Sequence, residues 1–329
     1  MAEKTRIIGI IGAGQIGSRH LQAIAKLTET TNIYIVDTST DSLNIAKQRF
    51  KEIVNNEAEI STSYLTNQMD LPAELDIVIV STNSNIRAKV IEKLLENKKV
   101  RYLLLEKVLF QSSSDYENIA SLLKKHRTLA WVNCPKRIWP TYQKMFSELK
   151  QAKNLHMIVN GSNIGLGCNT IHYIDLMSFF TNETNIKINS DLLESEIIQS
   201  KRSGFIELTG TLRIETSNNS TLTITSYNEE DIPFIVFISS DVSRYIITES
   251  DNKMLVSNVS TNWKWTETDF ITPYQSDLTN LVVEQLLKSG TCELPDYEIS
   301  KQLHLPMIEA FNKHLDKIKF NRNNICPIT

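Results

Sequence analysis

The densest cluster of candidate functional residues lies near the start of the chain. Gly12-Ala13-Gly14-Gln15-Ile16-Gly17 satisfies G-x-G-x-x-G directly after an apolar run at 7–11. A helix-like pattern marked by Leu21, Ile24 and Leu27 follows, and a second apolar run at 33–36 ends on Asp37. Dinucleotide binding needs these parts in this order. Gly12 permits a tight turn, Gly14 lets backbone approach a pyrophosphate, and Gly17 lets the helix lie close on the strand. The helix start, at Gln15 and Ile16, offers free N–H groups to phosphates. Asp37 stands about 20 residues beyond Gly17, where its carboxylate can accept from both ribose hydroxyls. NAD is therefore the expected cofactor. NADP would bring a 2′-phosphate against that charge, with no arginine in the next few positions to offset it.

Other residues suggest the rest of a reaction. Lys107 follows the apolar run at 103–105, and Ser81-Thr82-Asn83 and Glu106 fall at similar strand ends. An ammonium over the cofactor crevice could polarise a carbonyl or steady an alkoxide; a solvated surface lysine is the alternative. If 168–175 is helical, positions 168, 172, 175 and 179 share a stripe reading Cys, His, Asp, Phe. His172, with Asp175 to fix its tautomer, suits acid–base work near neutral pH. A satisfied core histidine or a surface ion pair is the alternative. Cys168 reads as a packing or lining residue, because hydride chemistry has no use for a thiol nucleophile. Arg137 could clamp an anionic or hydroxyl-rich substrate or form an interdomain salt bridge. Trp263 and Trp265 alternate as a sugar-stacking platform would, or as a strand pair contributing to a core. His20, His126, His156, His304 and His314 suggest no constellation.

These residues need a particular scaffold. Apolar runs at 6–11, 32–36, 76–80, 102–105 and 129–132 alternate with helical patterns at 16–28, 40–54, 85–96 and 115–126. Ile77–Val80 and 103–105 are apolar without alternation, as strands buried on both faces are. That predicts a parallel sheet between two helical layers, with ligands at the carboxyl ends of its strands. Beyond about residue 150 the pattern changes. At 205–216, Ile206, Leu208, Leu212 and Ile214 alternate with polar residues, and strands at 220–227, 233–239, 244–248 and 253–257 continue the theme. An antiparallel sheet with one covered face is expected, with helices at 169–180, 274–287 and 299–318 to cover it. The tail at 320–329 reads as loose.

Bulk properties exclude several classes. The chain has 329 residues, 41% hydrophobic and 22% charged, with a net charge of −3, so neither nucleic acid nor an anionic membrane is an expected partner. No apolar run approaches the ~20 residues of a membrane span, and the N-terminus lacks the marks of a signal peptide. Four scattered cysteines form no C-x-x-C pair; a zinc site or disulfide framework is not expected, and a reducing cytoplasm is.

IIGAGQIGSRHLQA, the Glu106-Lys107 pair and 168–175 together resemble the glucose–fructose oxidoreductase / inositol dehydrogenase / MocA-like (Gfo/Idh/MocA) oxidoreductase family, over most of the chain. The resemblance implies an α/β protein with two domains. An N-terminal Rossmann domain with a doubly wound parallel sheet, 1–133, precedes a C-terminal α+β domain, 134–329. The second domain carries a large, mostly antiparallel open sheet, often used for oligomerisation as a homodimer or homotetramer. The family's E-K-P reads Glu106-Lys107-Val108 here, and its D-x-x-x-H-x-x-D reads Cys168-x-x-x-His172-x-x-Asp175. By resemblance, Lys107 stands beside the reacting carbinol and His172 takes the proton, with Asp175 orienting it. Ser81, Thr82, Asn83 and Glu106 line the cofactor; Arg137, Cys168 and Asn169 meet the substrate. The implied activity is NAD-dependent hydride transfer to or from a sugar, sugar derivative or nucleotide sugar, as in bacterial surface-sugar metabolism. Redox-neutral elimination or glycoside cleavage on the same scaffold, and an NAD-binding sensor, are the alternatives.

Overall fold

Apolar runs without alternation become strands sealed on both sides. The computed structural model describes residues 5–53, 58–228, 231–321 and 325–329. In it Ile77, Val78, Ile79 and Val80 are all fully buried. They belong to the first of two compact units, formed by the described residues of 1–110, 114–135 and 273–298. Its order is β1 (Arg6–Ile11), α1 (Gln15–Ile24), β2 (Thr31–Val36), α2 (Thr40–Lys51), β3 (Ile60–Leu65), β4 (Glu74–Val80), α3 (Ser84–Asn97), β5 (Lys99–Leu105), α4 (Ser113–His126) and β6 (Leu129–Val132). The six strands pair in parallel, in the order β3-β2-β1-β4-β5-β6. The chain direction of the winding reverses between β1 and β4. Their carboxyl ends therefore border the crevice in which such sheets take ligands. The five strands read from the sequence are present; β3 is an addition at the sheet edge, where its half-exposed, polar-rich residues give a weak signal. Val54, the last residue of the expected second helix, lies outside the described residues.

The second unit comprises the described residues of 111–113, 136–272 and 299–329. It contains α5 (Pro140–Leu149), β7 (His156–Ser162), α6 (Leu166–Thr181), β8 (Ile186–Gln199), β9 (Ile206–Thr216), β10 (Thr221–Tyr227), β11 (Ile235–Ser239), β12 (Ser243–Thr248), β13 (Lys253–Asn258) and β14 (Thr266–Asp269). The strands form one open sheet in the order β14-β13-β12-β11-β7-β10-β9-β8. Every pair is antiparallel except β7 with β10. Helix α6 packs on β9 and β10, and Leu208, Leu212, Ile214, Leu222 and Ile224 are buried. The α/β architecture expected from the sequence is thus present in both parts.

Three expectations change. The helix predicted at 274–287 as a cover for the second sheet is α7 (Thr279–Ser289), and it packs on α1 in the first unit. Its segment also closes the free edge of β6: the Val132 N–H donates to the Pro295 carbonyl at 3.0 Å, and Trp131 bridges Asp296. The tail is not loose where it is described. It follows α8 (Tyr297–Lys317), and Cys326 and Ile328 are fully buried. The Ile206 N–H donates to the Pro327 carbonyl, and the Cys326 N–H to that of Gln111, both at 2.9 Å. Trp263 and Trp265 join no core: Trp263 lies under the Arg244 guanidinium at 4.7 Å, and Trp265 is exposed.

Candidate cofactor and catalytic residues

The glycine turn is built as its spacing predicts. Gly12 has φ +97°, and a Cβ there would meet the Ser81–Thr82 backbone at 2.9 Å. A Cβ on Gly17 would strike the Gly12 carbonyl at 1.8 Å. Around Gly14 the reverse holds: among the described residues nothing lies within 4 Å of a Cβ built there. No side chain caps α1, whose N-cap is Gly14, and its first turn carries no acidic residue. Asp37 is tied to the turn, accepting from the Ala13 N–H at 2.7 Å and the Ser39 N–H at 2.8 Å. Arg49 of α2 donates to the Gln15 side chain and to the Ser18 hydroxyl, which steadies the helix start.

The loops after β4 and β5 flank this turn. The Ser81 hydroxyl donates to the Gly12 carbonyl at 2.7 Å, Asn83 is the N-cap of α3, and the Thr82 hydroxyl is sealed from solvent without a partner among the described residues. Arg87, which the sequence reading passed over, is 1% exposed and donates to the carbonyls of Thr82, Val108 and Leu109. One guanidinium thus fastens both strand-end loops. The Lys107–Val108 peptide is cis, and Lys107 is half-buried. An open space at Gly14, an uncapped helix start, an orphaned hydroxyl at Thr82 and a carboxylate at Asp37 make a donor and acceptor set that fits a dinucleotide.

Glu106 has more partners than the sequence suggested. Its Oε1 accepts from Asn133 Nδ2 at 2.5 Å and from His20 Nε2 at 3.0 Å. His20 Nδ1 lies 2.8 Å from the Thr279 hydroxyl, and Gln275 joins Thr279 and Asn133 at 2.8 and 3.0 Å. Burial pushes the Glu106 carboxyl up. The His20 contact, the Asn133 donor and the Lys107 charge outweigh that, and Glu106 lies below its ordinary value. No local pattern could have revealed this network, since His20 and Thr279 are 259 residues apart.

In the second unit the expected stripe on α6 is present in part. Cys168, Asn169, His172 and Phe179 form its half-buried side, while Asp175 is 1% exposed. Asn169 Nδ2 donates to the Ile164 carbonyl at 2.7 Å, and the Cys168 thiol lies 3.6 Å from the Gly165 carbonyl. The expectation that Asp175 orients His172 is corrected. Asp175 receives Arg137 Nε on Oδ2 at 2.8 Å and Arg137 Nη2 on Oδ1 at 2.5 Å. Burial raises the carboxyl, and the guanidinium opposes that rise. The bidentate geometry explains the choice: a buried carboxylate gains more from a planar two-donor cation than from one imidazole. Arg137 is therefore half of an ion pair within this unit, not between domains. Beside it lies a second missed network. Lys136 Nζ contacts both Glu249 oxygens at 2.6 Å under the rings of Trp139 and Tyr173, and the Tyr142 hydroxyl donates to Glu249 at 2.6 Å. Burial lowers the Lys136 ammonium, and Glu249 opposes the change.

Residues 6–134 match the family model GFO_IDH_MocA, described as "Oxidoreductase family, NAD-binding Rossmann fold". No curated protein matches the chain in sequence. Among solved structures, an oxidoreductase from Agrobacterium radiobacter in complex with NAD+, L-tartaric acid and magnesium superposes with TM-score 0.72 at 13% identity, over 95% of this chain and 97% of that one. UDP-N-acetylglucosamine 3-dehydrogenase GnnA from Acidithiobacillus ferrooxidans gives 0.70 at 12% identity, over 93% and 97%. A super-repressor mutant of Gal80p from Saccharomyces cerevisiae gives 0.70 at 12%, over 95% and 97%. At these identities the likeness is one of fold.

Proposed function

Because residues 6–134 form an NAD-binding Rossmann domain of the Gfo/Idh/MocA oxidoreductase family, we propose that the chain is an NAD-dependent dehydrogenase. Its proposed substrate is a CH–OH group of a sugar or sugar derivative. The observation that carries this reading is the room left over Gly14 in front of an uncapped helix, with Asp37 fixed beside it. Gly12, Gly14, Gln15, Ile16 and Gly17 would cradle the pyrophosphate, and Asp37 the adenosine ribose. Ser81, Thr82, Asn83 and Glu106 would serve the other nucleotide. Bound NAD supplies a hydride acceptor. Lys107 would hold the substrate oxygen and steady its charge; His172 would take the hydroxyl proton. Arg137 and Asp175 set the shape around α6 rather than bind. Cys168 and Asn169 share the accessible side of α6 with His172, which supports a polar, hydroxyl-bearing substrate. GnnA, similar in fold, acts on a nucleotide sugar by its name, so that class is tested first.

The experiment is a screen of nucleotide sugars, acidic sugars and free sugars with NAD, read at the absorbance of the reduced nicotinamide. Net NADH formation on one substrate is expected. Product without net NADH favours redox-neutral elimination or cleavage. NAD binding with no turnover favours the sensor reading, to which the fold likeness with Gal80p lends weight. NADP should bind less tightly than NAD, because its 2′-phosphate meets Asp37.

We also assign the partner of the open sheet as a second copy of the chain. In its uncovered face Leu255, Ile246, Phe237 and Ile158 stand in one register row across four strands, and Leu255 and Ile158 are exposed. Among the described residues the four cysteines form no disulfide, which suits a reducing compartment such as the cytoplasm. Among the described residues no helix is long and apolar enough to cross a membrane.

A further inference from the structure

The Glu106 network holds an ionised carboxylate in the interior of the first unit, where an unpaired charge is costly. An ionised carboxylate only accepts hydrogen bonds, so His20 Nε2 must carry the proton toward it, and His20 Nδ1 is free to accept from the Thr279 hydroxyl. Both protein donors converge on Oε1. Among the described residues none donates to Oε2, and that oxygen is not sealed from solvent. The side chain keeps 7% exposure. His20 and Thr279 are themselves 0% and 1% exposed, so the arrangement cannot relax by turning outward.

The position of this charge follows from topology. A doubly wound sheet divides into two mononucleotide halves. Asp37, at the end of β2, marks the adenosine half, which leaves the strands beyond β4 for the nicotinamide nucleotide. Glu106 directly follows β5. The oxidised ring is a pyridinium cation and the reduced ring is neutral. A fixed anion in a low-dielectric site therefore stabilises the first more than the second.

We propose that Glu106 selects the redox state of the cofactor: with Oε1 occupied by His20 and Asn133, its carboxylate is a fixed negative charge that favours NAD+ over NADH. This deepens, and rests on, the assignment of the first unit as an NAD site. On the protein the same bias favours hydride leaving NADH, so it shifts the bound equilibrium toward the reduced, hydroxyl form of the substrate.

The test needs no substrate. Dissociation constants of NAD+ and NADH are measured by calorimetry on the full chain, for the wild type and for Glu106→Gln. The ratio Kd(NADH)/Kd(NAD+) is expected to fall at least about 10-fold in Glu106→Gln, while Glu106→Asp, which keeps the charge, holds it within a few-fold. An unchanged ratio in Glu106→Gln, even with both affinities weakened, overturns the proposal and leaves the cofactor site standing. A wild type that binds NADH more than about 10-fold tighter than NAD+ overturns it too, whether or not the variant folds. A wild type that binds neither form defeats the cofactor assignment instead.

Discussion

Single residues divide by how local their partners are. Lys107 was legible because a lysine after a buried apolar strand has few places to go but the strand's carboxyl end. Replacing it with Met should cut turnover about 100-fold or more, the scale of losing one preorganised charge, with NAD affinity nearly unchanged in calorimetry. Wild-type turnover in Lys107→Met would remove it from the mechanism. His20 and Asp175 were not legible, since each is completed by a residue far along the chain or by a competitor for the same carboxylate. Glu106 allows a test of its charge through stability. Its folded value lies below the ordinary one, so its contribution is complete above that ordinary value and is lost as pH falls through the folded one. Thermal unfolding followed from about pH 6 to pH 3 should show the wild type losing stability faster than Glu106→Gln. Parallel curves would mean that the carboxylate is not held ionised.

At the scale of elements, the β1–turn–α1 segment carries two glycines with opposite reasons for being glycine. Gly17 is forced by its neighbours: Gly17→Ala drives a methyl into the Gly12 carbonyl and should cost about 2 kcal/mol or more of stability. Gly14 is not forced by any atom of the described residues. Gly14→Ala should therefore leave the melting temperature within a degree or two, on the order of a small surface change, yet weaken NAD at least about 10-fold, because the methyl fills room that phosphates need. Equal NAD affinity in Gly14→Ala would show that this space has no ligand. The helices α6 and α7 illustrate a different limit. Their helical character was legible from apolar spacing, but which layer α7 covers was not. The same amphipathic stripe fits any apolar surface, and α7 found α1.

For the whole molecule, the uncovered face of the eight-stranded sheet is the proposed interface between copies, and it can be tested directly. Light scattering after size exclusion should give a dimer or tetramer for the wild type. Ile158→Lys should shift it toward monomer with the unfolding midpoint held, because a lysine at this exposed end of the apolar row, on β7, loses little in water and much at an interface. A monomeric wild type would leave that face to the solvent.

The sequence alone determined the parallel sheet, the glycine turn, the acidic residue after β2 and the lysine after β5. All of these arise from contacts a few residues or one strand apart, so local spacing and periodicity encode them. Tertiary structure decided that 273–298 returns to the first unit, that Arg87 fastens the two strand-end loops, that His20 and Asn133 hold Glu106, and that Asp175 answers to Arg137. Those choices are competitions among buried polar groups for the best-matched partner. Their outcome depends on distances and desolvation that exist only once the chain has folded.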